Sequence, residues 1–130
     1  MSHDDEFELQ VQVRYAECDS MNVAHHAAYP VWLEMARTEM LRRRGTAYRD
    51  LEAAGVFFVV VRMAIRYRRP ARYDDVLTIR TRLVRADGVK LEHEYEIRRH
   101  DEVLATAQTT LACVDREGKL QRVPEHLTRP

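Results

Sequence analysis

The sequence predicts an α+β fold: one antiparallel sheet of five strands with its helices on one face. Three observations lead there. The predicted elements run strand, long helix, short helix, then four strands, which segregates helix from sheet instead of alternating them. The stretches "ADG" (86–88) and "HDE" (100–102) are short enough for hairpins, and hairpins join antiparallel neighbours. One long helix cannot cover both faces of such a sheet, so the second face meets water or a partner.

The first strand is "FELQVQVR", with Phe7, Leu9, Val11 and Val13 on one face and Glu8, Gln10, Gln12 and Arg14 on the other. Residues 16 to 28 have no clean period and read as a loop. From about Tyr29, the positions Tyr29, Trp32, Leu33, Ala36 and Met40 fall at helical spacing. Pro30 suits the first turn of that helix. Gly45 suits its stop, with Arg42, Arg43 and Arg44 at the negative end of the dipole. "TAYRDLEAAG" predicts a short second helix with Thr46 as its cap and Gly55 as its stop.

Four strands follow. The first runs from about Phe57 to Arg68, with Val59, Val61, Met63, Ile65 and Tyr67 assigned to one face. The second covers Val76 to Arg85. The third, Val89 to Arg99, sets Val89, Leu91, His93, Tyr95 and Ile97 against Lys90, Glu92, Glu94, Glu96 and Arg98. The fourth covers Val103 to Val114. Beyond Val123 the chain ends in "PEHLTRP", which reads as a loose tail. The run "GVFFVVV" is more apolar than a wetted strand edge normally is, so this strand is expected to be covered by a second copy of the chain.

Composition bounds the function. A chain of 130 residues fits one domain, 1–130. Basic and acidic residues balance at 21 each, so net charge predicts no nucleic-acid partner. The two cysteines, Cys18 and Cys113, make no disulfide framework. The acidic start "MSHDDEFE" has no apolar run, and "GVFFVVV" is too short for a membrane span. The expectation is a cytoplasmic protein with reduced thiols.

The chemistry gathers just before the long helix, in "RYAECDSMNVAHHAAY". Cys18, Asp19, His25 and His26 are metal-ligating types, but their spacing matches no common zinc pattern and no second ligand pair follows, so no metal is expected. Cys18 could be a nucleophile beside a histidine or a partly buried loop thiol. His25 and His26 could be general bases or satisfied loop residues. Asp19 alone could be a turn residue or an N-cap.

Asp19 is not alone. Asp19, Asn22, Val23-Ala24, His25-His26, Tyr29, Glu34, Ala36-Arg37 and Glu39, followed by "YRRPARYDDVLTI" (67–79), resemble the 4-hydroxybenzoyl-CoA thioesterase family of hotdog-fold proteins. The likeness extends to its short-chain acyl-CoA thioesterase branch associated with the Tol–Pal operon and covers roughly residues 9 to 115. It implies the hotdog fold, in which the sheet wraps around one long central helix. It implies an edge-to-edge homodimer, often built up to a homotetramer, with the site between subunits. It also implies acyl-CoA thioester hydrolysis without a cofactor. Asp19 would be nucleophile or general base, and the His26 main-chain N–H would polarise the carbonyl. Asn22, His25 and Tyr29 would line the substrate site.

Two departures stand out: Asn22 replaces the family's usual glycine, and His25 stands where an aromatic residue is usual. The family's hairpin contact to phosphate would fall to Arg85 and Lys90, flanking "ADG". Glu34 and Glu39 are expected to orient the helix or pair with nearby arginines. A non-catalytic acyl-CoA or acyl-carrier-protein binding module on the same fold is the alternative. A hotdog dehydratase or hydratase is disfavoured because neither the usual His-Phe-Pro motif nor a separate Asp/His pair is seen.

Overall fold

The structure, a computed structural model, describes residues 6–128. The first five residues of the acidic start, and Arg129 and Pro130 of the tail, lie outside the described residues. Five strands, β1 (Glu6–Gln12), β2 (Phe57–Tyr67), β3 (Val76–Asp87), β4 (Lys90–Arg99) and β5 (Glu102–Val114), form one antiparallel sheet in the order β1-β3-β4-β5-β2. Helix α1 (Ala28–Arg43) lies on its inner face, followed by the short α2 (Tyr48–Ala53). This is the predicted α+β hotdog arrangement.

The apolar period of α1 sets its seat. Tyr29, Trp32, Leu33 and Ala36 are buried at helical spacing against Val11 within β1 and Val13 just after it, Leu77 and Ile79 of β3, and Ile97 of β4, and Met40 is buried one turn further on. Each fully buried side chain of this size is worth about 1.5–3 kcal/mol over leaving it exposed. Both helices stop as their glycines suggested. Gly45 has φ +89°, its N–H bonds Arg42 O at 2.9 Å, and the Thr46 N–H bonds Leu41 O at 3.2 Å. Gly55 repeats the pattern: φ +84°, with the Val56 N–H on Leu51 O at 2.8 Å. These are paired Schellman bonds, and they need a left-handed residue that glycine supplies without strain.

Three expectations change. Thr46 is not the cap of α2. It is spent closing α1, and Ala47 stands at the N-cap without a side-chain bond. The faces of β2 are not those of strict alternation. A bulge between Val60 and Arg62 slips the register, so Phe58 and Val60 point inward before it and Met63, Ile65 and Tyr67 after it. Val59 therefore faces outward with Arg62, because one extra residue inverts the alternation. The tail is docked and not loose over its described part. Val123 and Leu127 are buried with Leu41, Leu51, Leu91, Leu111 and Cys113, and the Val123 N–H bonds Gly88 O at 2.8 Å. Two apolar side chains four residues apart outweighed the polar look of "PEHLTRP".

β4 alternates as predicted, but its inner face is partly polar. Arg37 of α1, 8% exposed, sits beside Tyr48, Tyr95 and His93, and the Tyr95 hydroxyl shares a 2.6 Å bond with Thr109 Oγ1. Burial, with the charges of Arg37 and Arg44 adding, pushes His93 down to about 3 from an ordinary 6.5. His93 is thus neutral when folded and takes up a proton more readily when unfolded. The unfolded chain binds more protons between about pH 6.5 and about pH 3, so this group erodes stability as pH falls through that window. Unfolding free energy measured by denaturant against pH should fall across it, and a His93→Gln variant should lose visibly less over the same range. Parallel curves would remove His93 as the cause.

Candidate active site

The residues between β1 and α1 form a small hairpin of their own. A 3-10 turn at Tyr15–Glu17 delivers the chain to Cys18, which bridges Ala24. The Asp19 N–H bonds Val23 O at 2.9 Å, and the His25 N–H bonds Glu17 O at 2.7 Å. Asp19 and His26 thus stand on opposite arms of one hydrogen-bonded unit. Its tip is set by the Asp19 side chain, whose Oδ1 accepts the N–H of Met21 at 2.9 Å and of Val23 at 3.2 Å. Asn22 at the tip has φ +65°, a left-handed conformation that asparagine tolerates better than most residues, so the turn survives without glycine.

One oxygen of Asp19 is committed to this turn. Oδ2 accepts no hydrogen bond from the described residues, and the residue is exposed. The His26 N–H likewise has no acceptor among the described residues. It lies just before α1, where the helix leaves its first N–H groups unpaired and carries partial positive charge. The His25 ring is exposed and its Nδ1 accepts the Ala27 N–H at 3.1 Å, so it caps the turn into α1. The two imidazoles lie 4.2 Å apart between centroids.

Tyr29 is 2% exposed and sits in the core. Its ring meets Trp32 at 4.7 Å and Tyr67 of β2 at 4.9 Å, and burial pushes its phenol up. Tyr67 reaches His26 O with its hydroxyl at 3.5 Å, so this aromatic group forms a floor under the helix start. Cys18 donates its thiol to Arg14 O at 3.6 Å. Burial raises its pKa, with the Asp19 and Glu17 carboxylates adding, which is the wrong direction for a nucleophilic thiol. Among the described residues, no three His, Cys, Asp or Glu side chains converge on a possible metal site.

The two blocks of sequence that carried the resemblance meet in space. Val23 bridges Arg72, the Ala24 N–H bonds Ala71 O at 2.8 Å and the Tyr73 N–H bonds Asn22 O at 3.3 Å. Asp75 stiffens the second block by accepting the Arg72 N–H at 2.9 Å and the Arg99 guanidinium at 2.7 Å. Glu39 pairs with Arg42 at 2.5 Å, while Glu34 is exposed and 3.9 Å from Arg37.

Arg85 and Lys90 are not brought to Asp19 within one chain. Val76 begins β3 beside the site, and Arg85 stands nine residues further along, roughly 30 Å away at about 3.3 Å per residue. Arg85 is engaged by Asp87 at 2.7 Å. Glu17 lies within the stretch before α1, and the sequence alone assigns it no role. Its carboxylate accepts the Arg14 N–H at 2.8 Å, the Arg14 guanidinium at 3.2 Å and the Trp32 indole N–H at 3.0 Å. Its spacing from Trp32, across a loop, carries no sequence signature.

Known proteins resemble this chain in sequence and fold. Residues 13–130 match the model of the Thioesterase-like superfamily. The chain is 35% identical over 110 residues to the putative acyl-CoA thioesterase YneP of Bacillus subtilis, covering 84% of this chain and 80% of that one. It is 37% identical over 110 residues to the acyl-CoA thioester hydrolase YbgC of Escherichia coli, covering 84% and 82%. A probable thioesterase from Bartonella henselae superposes with a TM-score of 0.87 at 36% identity, covering 92% of this chain and 99% of that one. A hypothetical protein from Thermus thermophilus gives 0.89 at 40%, covering 95% and 93%. Fold and relatives agree, and the chain belongs to the Thioesterase-like superfamily of hotdog proteins.

Proposed function

We propose that this thioester hydrolase acts on acyl-CoA esters, with Asp19 as the attacking or proton-accepting group and the His26 main-chain N–H as the donor to the carbonyl oxygen. The observation that carries the reading is the pairing of two uncommitted groups on one rigid hairpin: Asp19 Oδ2 and the His26 N–H. A carboxylate has an ordinary pKa near 4, so it is ionised at neutral pH. A thiolate leaves readily, so no strong acid is needed behind it. What the reaction needs is a nucleophile or base and a donor for the developing oxyanion, and one such donor is typically worth about 10²–10³ in rate. The named activities of the YneP and YbgC relatives support the acyl-CoA substrate. The two-block likeness to the 4-hydroxybenzoyl-CoA thioesterase family and its Tol–Pal-associated branch belongs to this proposal and leaves the acyl group open. So does a cytoplasmic location, which the two free cysteines suit. Among the described residues, no helix is long and apolar enough to cross a membrane.

The working unit in this reading is at least a homodimer. β2 pairs with β5 on one side only, and Val59, Val60, Val61 and Met63 are exposed on it. On α1, Val31 and Met35 are exposed as well. A two-fold axis normal to the sheet would pair β2 antiparallel with its copy and cover the inward-facing Val60 and Met63 together with Val31 and Met35. The same axis sets the partner's Phe57 end of β2, with the β3–β4 hairpin beyond it, beside the Tyr67 end and the Asp19 loop. Arg85 and Lys90 then serve the site of the other copy, holding the nucleotide phosphates of CoA. Asn22 and His25 line its mouth, and Tyr29 supports it from below.

Three outcomes are expected. Asp19→Asn keeps shape and hydrogen-bond capacity but loses basicity, so kcat for acyl-CoA followed with a thiol-reactive dye should fall by about 10²–10⁴ while binding persists. Full activity in that variant sinks the mechanism; binding without turnover in the unmodified protein would make it a binding module. Light scattering at micromolar concentration should give a dimer or tetramer, and Met63→Glu should shift the mass toward the monomer. A monomeric unmodified protein removes the shared site. Replacing both Arg85 and Lys90 with Ala should raise KM for CoA esters yet spare pantetheine thioesters, which lack the nucleotide. Equal losses on both would assign the pair a structural role.

A further inference from the structure

We propose that Glu17 is a positioning residue: its carboxylate pins the Asp19–His26 hairpin to the head of α1 through the indole of Trp32 and so sets the distance between the attacking oxygen and the oxyanion donor. The inference rests on the roles given above to Asp19 and His26, and Glu17 itself touches no substrate.

Glu17 holds the hairpin from both of its ends. Its carbonyl oxygen accepts the His25 N–H at 2.7 Å, one peptide before the His26 N–H, and its chain continues through Cys18 to Asp19. Its side chain turns the other way. Oε1 accepts the Arg14 N–H at 2.8 Å, and Oε2 accepts both the Arg14 guanidinium at 3.2 Å and Trp32 Nε1 at 3.0 Å. Trp32 is 1% exposed and belongs to the core under the sheet, so it is a fixed post. The Glu17 side chain is itself only 9% exposed. A carboxylate taken out of water is costly unless it is paired and hydrogen-bonded, and this one has three donors on two oxygens. Burial alone raises its pKa; the Arg14 backbone and guanidinium and the Trp32 indole together hold it below the ordinary value. These donors favour its ionised, accepting form. No other side chain of the hairpin bonds α1 beyond its first turn among the described residues: the His25 ring reaches only Ala27.

The consequence is specific. If the clamp sets geometry, loosening it should lower kcat and leave KM nearly alone, because the loop still binds but presents its groups off register. A misplacement of about an ångström is worth roughly tenfold to a hundredfold in rate. A general packing defect would lower apparent kcat only by reducing the folded fraction, so kcat is taken per folded protein and a loss that vanishes on that scale counts against the clamp.

The test uses the full-length chain and the single tryptophan. Glu17→Gln, Trp32→Phe and the double variant are assayed with acyl-CoA, and the indole N–H resonance of Trp32 is recorded by NMR in the unmodified protein and in Glu17→Gln. The expected result is a shifted indole resonance in Glu17→Gln, a fall in kcat of roughly tenfold or more with KM changed less than about threefold, and a double variant no slower than the worse single one. Unchanged kcat in Glu17→Gln, an unmoved indole resonance, or losses that multiply in the double variant would each overturn the proposal. Should Trp32→Phe fail to fold, Glu17→Gln and the resonance decide alone. Asp19→Asn run beside them separates the two readings: full activity there refutes the site, whatever Glu17 does, and the indole resonance still reports the clamp.

Discussion

One helix covers only part of the inner face of this sheet, and every later feature depends on what it leaves bare. α1 packs chiefly against β1 and β3, at one side of the order β1-β3-β4-β5-β2. At the other side β2 turns Val60, Met63 and Tyr67 inward with no helix below to bury them fully, and its outer row of backbone groups has no strand to bond. Val61, at the bulge, is 57% exposed. An apolar, open edge of eleven residues is a template for pairing. The occupant proposed for it is a second copy, whose own edge has the same length and the same apolar inner face under a two-fold.

The candidate chemistry sits where that edge meets the head of α1. Tyr67, near the end of β2, touches both Tyr29 and the His26 carbonyl. The strand that would join the copies is thus in contact with the peptide that follows the proposed His26 N–H donor. Asp19 is held from its own side by its turn, and the floor of aromatic rings is shared between helix and edge. In this account the site is finished only when β2 is paired, and the phosphate-binding hairpin arrives from the partner.

Much of this was legible in the sequence, for physical reasons. β4 alternates cleanly because one face is buried, and Leu91, His93, Tyr95 and Ile97 are buried as the pattern required. Gly45 and Gly55 marked helix ends because only a left-handed residue closes those turns cheaply. Asp19 and the turn at Asn22 stood out through a resemblance, not through spacing. What stayed hidden was non-local or non-periodic. The bulge in β2 carries no glycine to announce it, so the faces of that strand inverted unannounced. Thr46 looked like a cap because nothing in the sequence says that its N–H is already used by α1. The tail looked polar because its anchors, Val123 and Leu127, find their partners in α1, α2, β4 and β5. Arg37 falls on the buried side of α1, where its hydroxyl partners Tyr48 and Tyr95 come from two other elements.

The central claim is that each site draws Asp19 from one copy and Arg85 with Lys90 from the other. Subunit mixing tests it most directly. Arg85→Ala/Lys90→Ala chains are combined with an excess of Asp19→Asn chains under conditions that exchange subunits. A mixed dimer then holds one site with Asp19 intact on one copy and both basic residues intact on the other. The account predicts that the residual activity shows the KM of the unmodified protein for CoA esters. A KM that stays as high as that of the double Ala variant alone would place all these residues in one chain's site and contradict it.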